Sequence, residues 1–333
     1  SCGTGCGGTC GGSNGSYGSC GSCGGNCRGN CGGGYSPFSG VFDPCGPCQP
    51  FCYASFDALY MERDGADSLT VTEGTRLSGL DSEIGGRFTI GRIPNCVDGY
   101  EVSFLGVFQW DASASVVAPG GGIPSLLVPG GSLLAADLSA FTDNVVAASH
   151  SFEAEYWSVE ANKLAMGWDY AKLLYGVRYA EVDEEYVHQT LNAAGEVGLL
   201  GSSITSRLVG IQGGLDLLYP VGRHTFTDFR SRIGGFINFA EADVAVINDG
   251  TFVAARREKD EALAGLIELG AGVRYQLGQM LAIRGGVEVW YLTGNGSALD
   301  QFRNVITATS GVGVDQGDDF LVTGFAVGAE LRY

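Results

Sequence analysis

No run of 18 apolar residues occurs in the 333-residue chain, and its richest apolar stretch, Gly122 to Ala136, is broken by Pro124, Pro129 and paired glycines. A bundle of membrane-spanning helices is therefore excluded. Positive charge is scarce as well. Against 37 Asp and Glu stand 19 Lys and Arg, a formal charge of −18, which argues against a nucleic-acid partner. Three histidines, His150, His188 and His224, are the only bases near neutral pH. Each falls in or beside an expected loop or turn without a convincing Ser or Cys partner. No Gly-x-Ser-x-Gly, His-Glu-x-x-His or P-loop pattern occurs. The sequence thus points to no enzyme, no cofactor and no metal site. The acidic run Asp315-Gln316-Gly317-Asp318-Asp319 lacks a complete calcium-loop pattern and reads as a solvated loop.

Cysteine is nearly missing from most of the chain and concentrated at its start. Cys2, Cys6, Cys10, Cys20, Cys23, Cys27, Cys31, Cys45, Cys48 and Cys52 occupy the first 52 residues, and Cys96 alone lies beyond. Residues 1–50 also hold 17 Gly but two charges, Arg28 and Asp43. We read 1–51 as an irregular, disulfide-rich arm, because dense Cys without matching His fits disulfides of an oxidising compartment better than zinc. All 11 Cys are disulfide candidates, and the odd total leaves one thiol over or one bond between chains. Cys45-Gly46-Pro47-Cys48 is the active-site tetrapeptide of thioredoxins. Pro44 before it and Pro50 after it oppose the helix such chemistry needs, which favours a structural cross-link. Ser1 follows no initiator Met and no apolar leader, as in a secreted mature chain.

What fills 52–333 is alternation. Apolar and polar residues change places with period two in ten segments, near 53–63, 82–92, 100–111, 151–162, 170–182, 204–218, 226–239, 263–277, 281–291 and 319–333. In the third, Tyr100, Val102, Phe104, Gly106, Phe108 and Trp110 share one face, while Glu101, Ser103, Gln109 and Asp111 share the other. Short connections near 93–99, 163–169, 219–225 and 278–280 alternate with long ones near 64–81, 114–150, 183–203, 240–262 and 292–318. Tight turns at one rim and large loops at the other are the signature of a transmembrane barrel; a soluble sandwich has no reason to gather its long loops at one end. The last segment places Thr323, Phe325, Val327, Ala329, Leu331 and Tyr333 on one face, like the closing strand of an outer-membrane barrel. The expected fold is all-β: a closed antiparallel up-and-down transmembrane-type barrel of about ten strands, twelve being the alternative.

Several short blocks carry a family resemblance: Ser158-Val159-Glu160-Ala161-Asn162, Gly176-Val177-Arg178-Tyr179, Gly210-Ile211-Gln212-Gly213-Gly214 and Ala298-Leu299-Asp300-Gln301, together with Gly234, Asn238, Glu268 and the closing Gly324/Gly328 strand. In their order and spacing over about 52–333, they resemble the β-barrel porin family abundant in planctomycete bacteria. The resemblance implies a bacterial outer-membrane barrel and leaves the arm without a counterpart.

If the apolar faces meet lipid, parity sends Glu83, Arg87, Glu160, Arg178, Asp216, Arg230, Arg232, Glu268, Arg274, Arg284, Glu288, Glu330 and Arg332 to the lumen. Arg178, Arg274, Arg284 and Arg332 would there meet acids such as Glu160, Glu268, Glu288 and Glu330. Surplus acid, including Glu181, Asp183, Glu184 and Glu185, is expected in loops and rims. Ten strands enclose little space, so the readings are a narrow pore for a small polar solute or a structural envelope barrel with a zipped lumen. The partners would be outer-membrane lipid and, through the arm, further copies in a homo-oligomer. The alternative is a building block of a cross-linked array or extracellular fibre at the cell surface.

Overall fold

The computed structural model describes residues 50–64, 77, 80–95, 97–118, 120, 122–168, 171–301 and 304–333. Ten antiparallel strands close into a barrel in the order β1-β12-β10-β9-β8-β7-β6-β5-β3-β2. They are β1 (Phe51–Arg63), β2 (Glu83–Ile93), β3 (Asp98–Val117), β5 (Val145–Trp168), β6 (Ala171–Asn192), β7 (Val197–Pro220), β8 (Thr225–Asn248), β9 (Thr251–Gln276), β10 (Leu281–Asn295) and β12 (Asp318–Arg332). The remaining elements are β4 (Val128–Pro129), which pairs in parallel with β11 (Val305–Ile306), a 3-10 turn over Ala135–Leu138 and the single-turn α1 (Ser139–Thr142). Each barrel strand coincides with one of the ten alternating segments. Both chain ends of the barrel meet at the short-turn rim, where the Cys52 and Tyr333 backbones exchange hydrogen bonds of 2.8 and 2.9 Å.

Two expected long loops are strands instead. Residues 183–203 and 240–262 continue β6 into β7 and β8 into β9, joined by the tight turns 193–196 and Asp249-Gly250. Asp249 and Gly250 both have positive φ, 45° and 79°, the conformation that fits a two-residue hairpin to the twist of its strands. Of the other three long connections, two shrink to 118–144 and 296–317. Strands β5 to β9 consequently run 22 to 26 residues, against the 9–11 or so that cross a bilayer.

A second correction concerns β3. The register against β5 shifts between Leu105 and Phe108, a bulge centred on Gly106, whose φ of 139° suits glycine alone. Beyond it inside and outside exchange. Phe108 and Trp110 are buried, and Gln109 and Asp111 are exposed.

The wall is closed only in its lower part. β2 leaves β3 at Gly86–Gly106, and β10 leaves β9 at the Thr293–Gly265 rung. Above these rungs, β3, β5, β6, β7, β8 and β9 continue as a curved six-stranded sheet. Its concave side is filled by the two long connections, which bury Leu127, Leu138, Phe141, Ala298, Leu299 and Ile306 against Phe152, Tyr186, Ile204 and Val244. We call this upper part the head.

Candidate functional site

The lower lumen is the densest collection of charge in the molecule. On β6, Leu173, Tyr175, Val177 and Tyr179 face outward while Lys172 and Arg178 are buried inside; the other strands repeat the arrangement. Arg87 grips Glu288 through two hydrogen bonds of 2.6 and 2.8 Å, and Arg230 approaches the same carboxylate at 3.8 Å. Arg178 bridges to Glu268 at 2.7 Å and also donates to Tyr156 and Ser158. Glu330 accepts from Arg274 at 2.5 Å and from Arg332 at 2.8 Å. Asp216 joins Arg232 at 2.5 Å to Lys172 at 2.8 Å. Glu160 accepts from Gln212. Glu83 is half-buried at the upper end of β2, without an ion pair among the described residues.

Several of these pairs have a partner outside the expected set. Arg284 is held by Asp57 of β1, not by one of the four glutamates. Lys172 binds Glu101 at 2.9 Å, and the Tyr53 hydroxyl donates to the same Glu101. Their parity was available, since Asp57 lies between Phe56 and Ala58, and Lys172 precedes Leu173. The loop placement of Glu184 is also corrected. It is a β6 residue inside the head, where it pairs with Arg63 of β1 and accepts the Ala298 backbone N–H at 3.0 Å. Glu181, Asp183 and Glu185 lie on the outer face of the same strand.

Space inside this network is small. The cavity between the paired charges holds about 50 Å³, room for a few waters. An aromatic layer covers it. Phe108 stacks on Trp110 with ring centres 5.3 Å apart, Trp290 meets Phe108 edge-on at 5.5 Å, and the Trp290 indole N–H donates to Glu288. Above that layer the head core begins. The segment after β10 is tied in by Ser202, whose hydroxyl donates to the Ala298 carbonyl at 2.6 Å.

Two histidines lie in the head core, not on a rim. His150 and His188 are cross-strand neighbours on β5 and β6. Their rings stack 4.3 Å apart, and His150 Nδ1 lies 2.6 Å from the Tyr186 hydroxyl. Burial lowers His150 to about 4, and burial together with the neighbouring imidazole lowers His188 to about 3. At the barrel mouth Asp318 is raised to about 6 by burial and by Asp300 and Glu184. Outside the head, Asp183 is raised by burial and by Glu181 and Glu155.

No three His, Cys, Asp or Glu among the described residues are grouped to hold a metal. Cys2, Cys6, Cys10, Cys20, Cys23, Cys27, Cys31, Cys45, Cys48 and Cys96 lie outside the described residues, as does nearly all of the arm. Cys52 is half-buried, with a free thiol among the described residues. No family model and no curated protein match the chain. Among solved structures it is similar to the outer membrane protease OmpT from Escherichia coli, at 10% identity and a TM-score of 0.43 over 86% of this chain and 97% of that one. It is also similar to the translocator domain of the autotransporter NalP from Neisseria meningitidis, at 10% identity and 0.40 over 87% and 90%. A third is Ail, the attachment invasion locus protein of Yersinia pestis, at 10% identity and 0.29 over 86% and 99%.

Proposed function

We propose that the chain is a bacterial outer-membrane barrel of the porin-like kind its sequence blocks resemble. In this reading the lower barrel is a lipid-embedded anchor with a closed lumen, and the head is a rigid display surface above the membrane. The observation that carries the reading is a reversal of polarity along single strands. On β8, Phe229, Ile233, Ile237 and Phe239 face outward below, opposite Arg230, Arg232 and Asn238; above, Glu241 and Asp243 face outward, opposite Ala240, Ala242 and Val244. An apolar belt outside with charge inside suits lipid, and the converse suits water. Exposed aromatics edge the belt: Tyr60, Phe239 and Tyr291 above, and Tyr100, Tyr175, Tyr219, Tyr275 and Tyr333 below. The exposed apolar positions of β8 from Phe229 to Phe239, ten residues apart, rise about 23 Å at a 45° tilt, close to the ~25 Å of such belts.

Paired charges, an aromatic layer and a packed head in series support a structural envelope barrel over a pore for small polar solutes. A non-enzymatic role is favoured by the burial of His150 and His188 in the core. The expected result in a planar bilayer is no steady conductance from the folded full chain; ohmic steps would overturn the closed-lumen reading. The cysteine-rich arm supports a second part, joining copies into a homo-oligomeric array. It predicts that assembly on a non-reducing gel disappears with reductant.

A further inference from the structure

Cations on the outer face of the upper wall are neutralised where they stand. Arg207 is 3.5 Å from Glu181, and Arg257 and Lys259 share Glu241. Near the short-turn rim, two cations have no ion-pair partner among the described residues. Successive rungs join Arg92 of β2 to Tyr100 of β3, Tyr100 to Lys163 of β5, and Lys163 to Tyr175 of β6. Directly paired residues share a face, so these four side chains form one row on the outside of the barrel, all exposed. The Lys163 ammonium lies 5.9 Å from the centre of the Tyr175 ring. Neither Arg92 nor Lys163 has a carboxylate within ion-pair distance among the described residues, and the Asp98 carboxylate attracts Lys163 only from farther off. The row above them is apolar: Ile90, Val102, Ala161 and Val177 are rung partners in turn. Its smallest member, Ala161, stands directly above Lys163 on β5 and is exposed.

Two cations without an ion-pair partner among the described residues, a phenol between them and a second phenol beside them mark the edge of a lipid-facing belt. Ala161 continues the row into the apolar zone. We propose that this row binds the phosphate of an anionic glycerophospholipid in the leaflet on the short-turn side. Arg92 and Lys163 take phosphate oxygens, the Tyr100 hydroxyl donates between them, and an acyl chain lies over Ala161. The two cations are two strands apart, about 10 Å, a span open to one phosphate with its glycerol or to the paired phosphates of a cardiolipin. This inference rests on the membrane reading above, since it requires that belt to face lipid.

The test uses the folded full chain in liposomes and then, extracted in a neutral detergent, native mass spectrometry of retained lipid. The probes are phosphatidylglycerol, cardiolipin and phosphatidylcholine. The expected result is at least about tenfold preferential retention of an anionic lipid over phosphatidylcholine, lost in R92Q/K163Q and kept in R223Q, which removes an exposed cation elsewhere on the same rim. Preference for cardiolipin would assign both phosphates to the row, and preference for phosphatidylglycerol a single one. Equal retention of anionic and zwitterionic lipid, a preference that survives R92Q/K163Q, or one equally lost in R223Q would each overturn the proposal. Failure of the wild type to enter liposomes of any composition would overturn the membrane reading itself, whereas insertion without preference overturns this inference alone.

Discussion

The lower barrel and the head share six continuous strands, yet each is the other turned inside out. Below, a side chain pointing inward enters a network of guanidinium and carboxylate groups; above, the same parity leads to Phe152, Tyr186 and Val244. The outward positions change from Val177 and Tyr179 to Glu181 and Asp183 within two steps of β6. Alternation therefore fixes which residues share a face, and the surrounding solvent decides which face must be apolar. The comparison also shows two ways of filling a narrow tube. Charge closes the lower lumen because paired ions and their hydrogen bonds can replace water there, and only if every member has its partner. Packing closes the head, where two connections supply the missing apolar volume.

Breaking the lower network is expected to have the largest effect. Arg178→Ala strips Glu268 of its partner inside the lumen and should destabilise the barrel by about 3–5 kcal/mol, read as a lower denaturant midpoint in detergent. The double variant R178M/E268L, which removes both charges, should recover most of that loss. Next comes the outer belt, tested on one strand at matched parity. Ile233→Lys places an ammonium in the outer apolar belt of β8 and, if that belt meets lipid as proposed, should cost about 2–4 kcal/mol in a bilayer. Ala245→Lys, twelve residues along on the outer face of the head, should stay within about 0.5 kcal/mol. Equal costs at the two positions would erase the distinction between the regions.

Acid should separate the halves by a smaller margin. His150 and His188 are held below their ordinary value of 6.5, so the unfolded chain binds more protons than the native one as pH falls. Their contribution to head stability is intact above about pH 6.5 and is lost progressively toward pH 3 to 4. Asp318 works in the opposite sense: raised to about 6, it penalises the fold as pH rises through that value, and acidification relieves it. Two imidazoles outweigh one carboxyl, so hydrogen exchange of β5 and β6 amides above the Trp157–Glu181 rung should accelerate between pH 6 and pH 4. H188Q should flatten that dependence.

Much of the barrel was legible because period-two alternation is a local property. Ten segments gave ten strands, and the inward parity of Arg87, Arg178, Arg274 and Glu288 followed from their neighbours. The head was harder to read, since there apolar and polar faces trade places and a reader following one stripe sees it end at Glu181 or Glu241. The two-residue turn at Asp249-Gly250 was the available signal that β8 and β9 continue past that point. The inversion of Phe108 and Trp110 had a subtler sign in Gly106, because a glycine inside a strand permits a bulge without announcing one.

The sequence by itself determined the strands, their short-turn rim and the near balance of charge destined for the interior, because these depend on residues two or four positions apart. Only the tertiary structure decided who meets whom. Asp57 and Arg284 are separated by 227 residues and Arg63 and Glu184 by 121, and no local pattern encodes a partner that barrel closure alone brings into reach. It also decided where the apolar outer wall gives way to head, since that boundary is set by where neighbouring strands stop pairing.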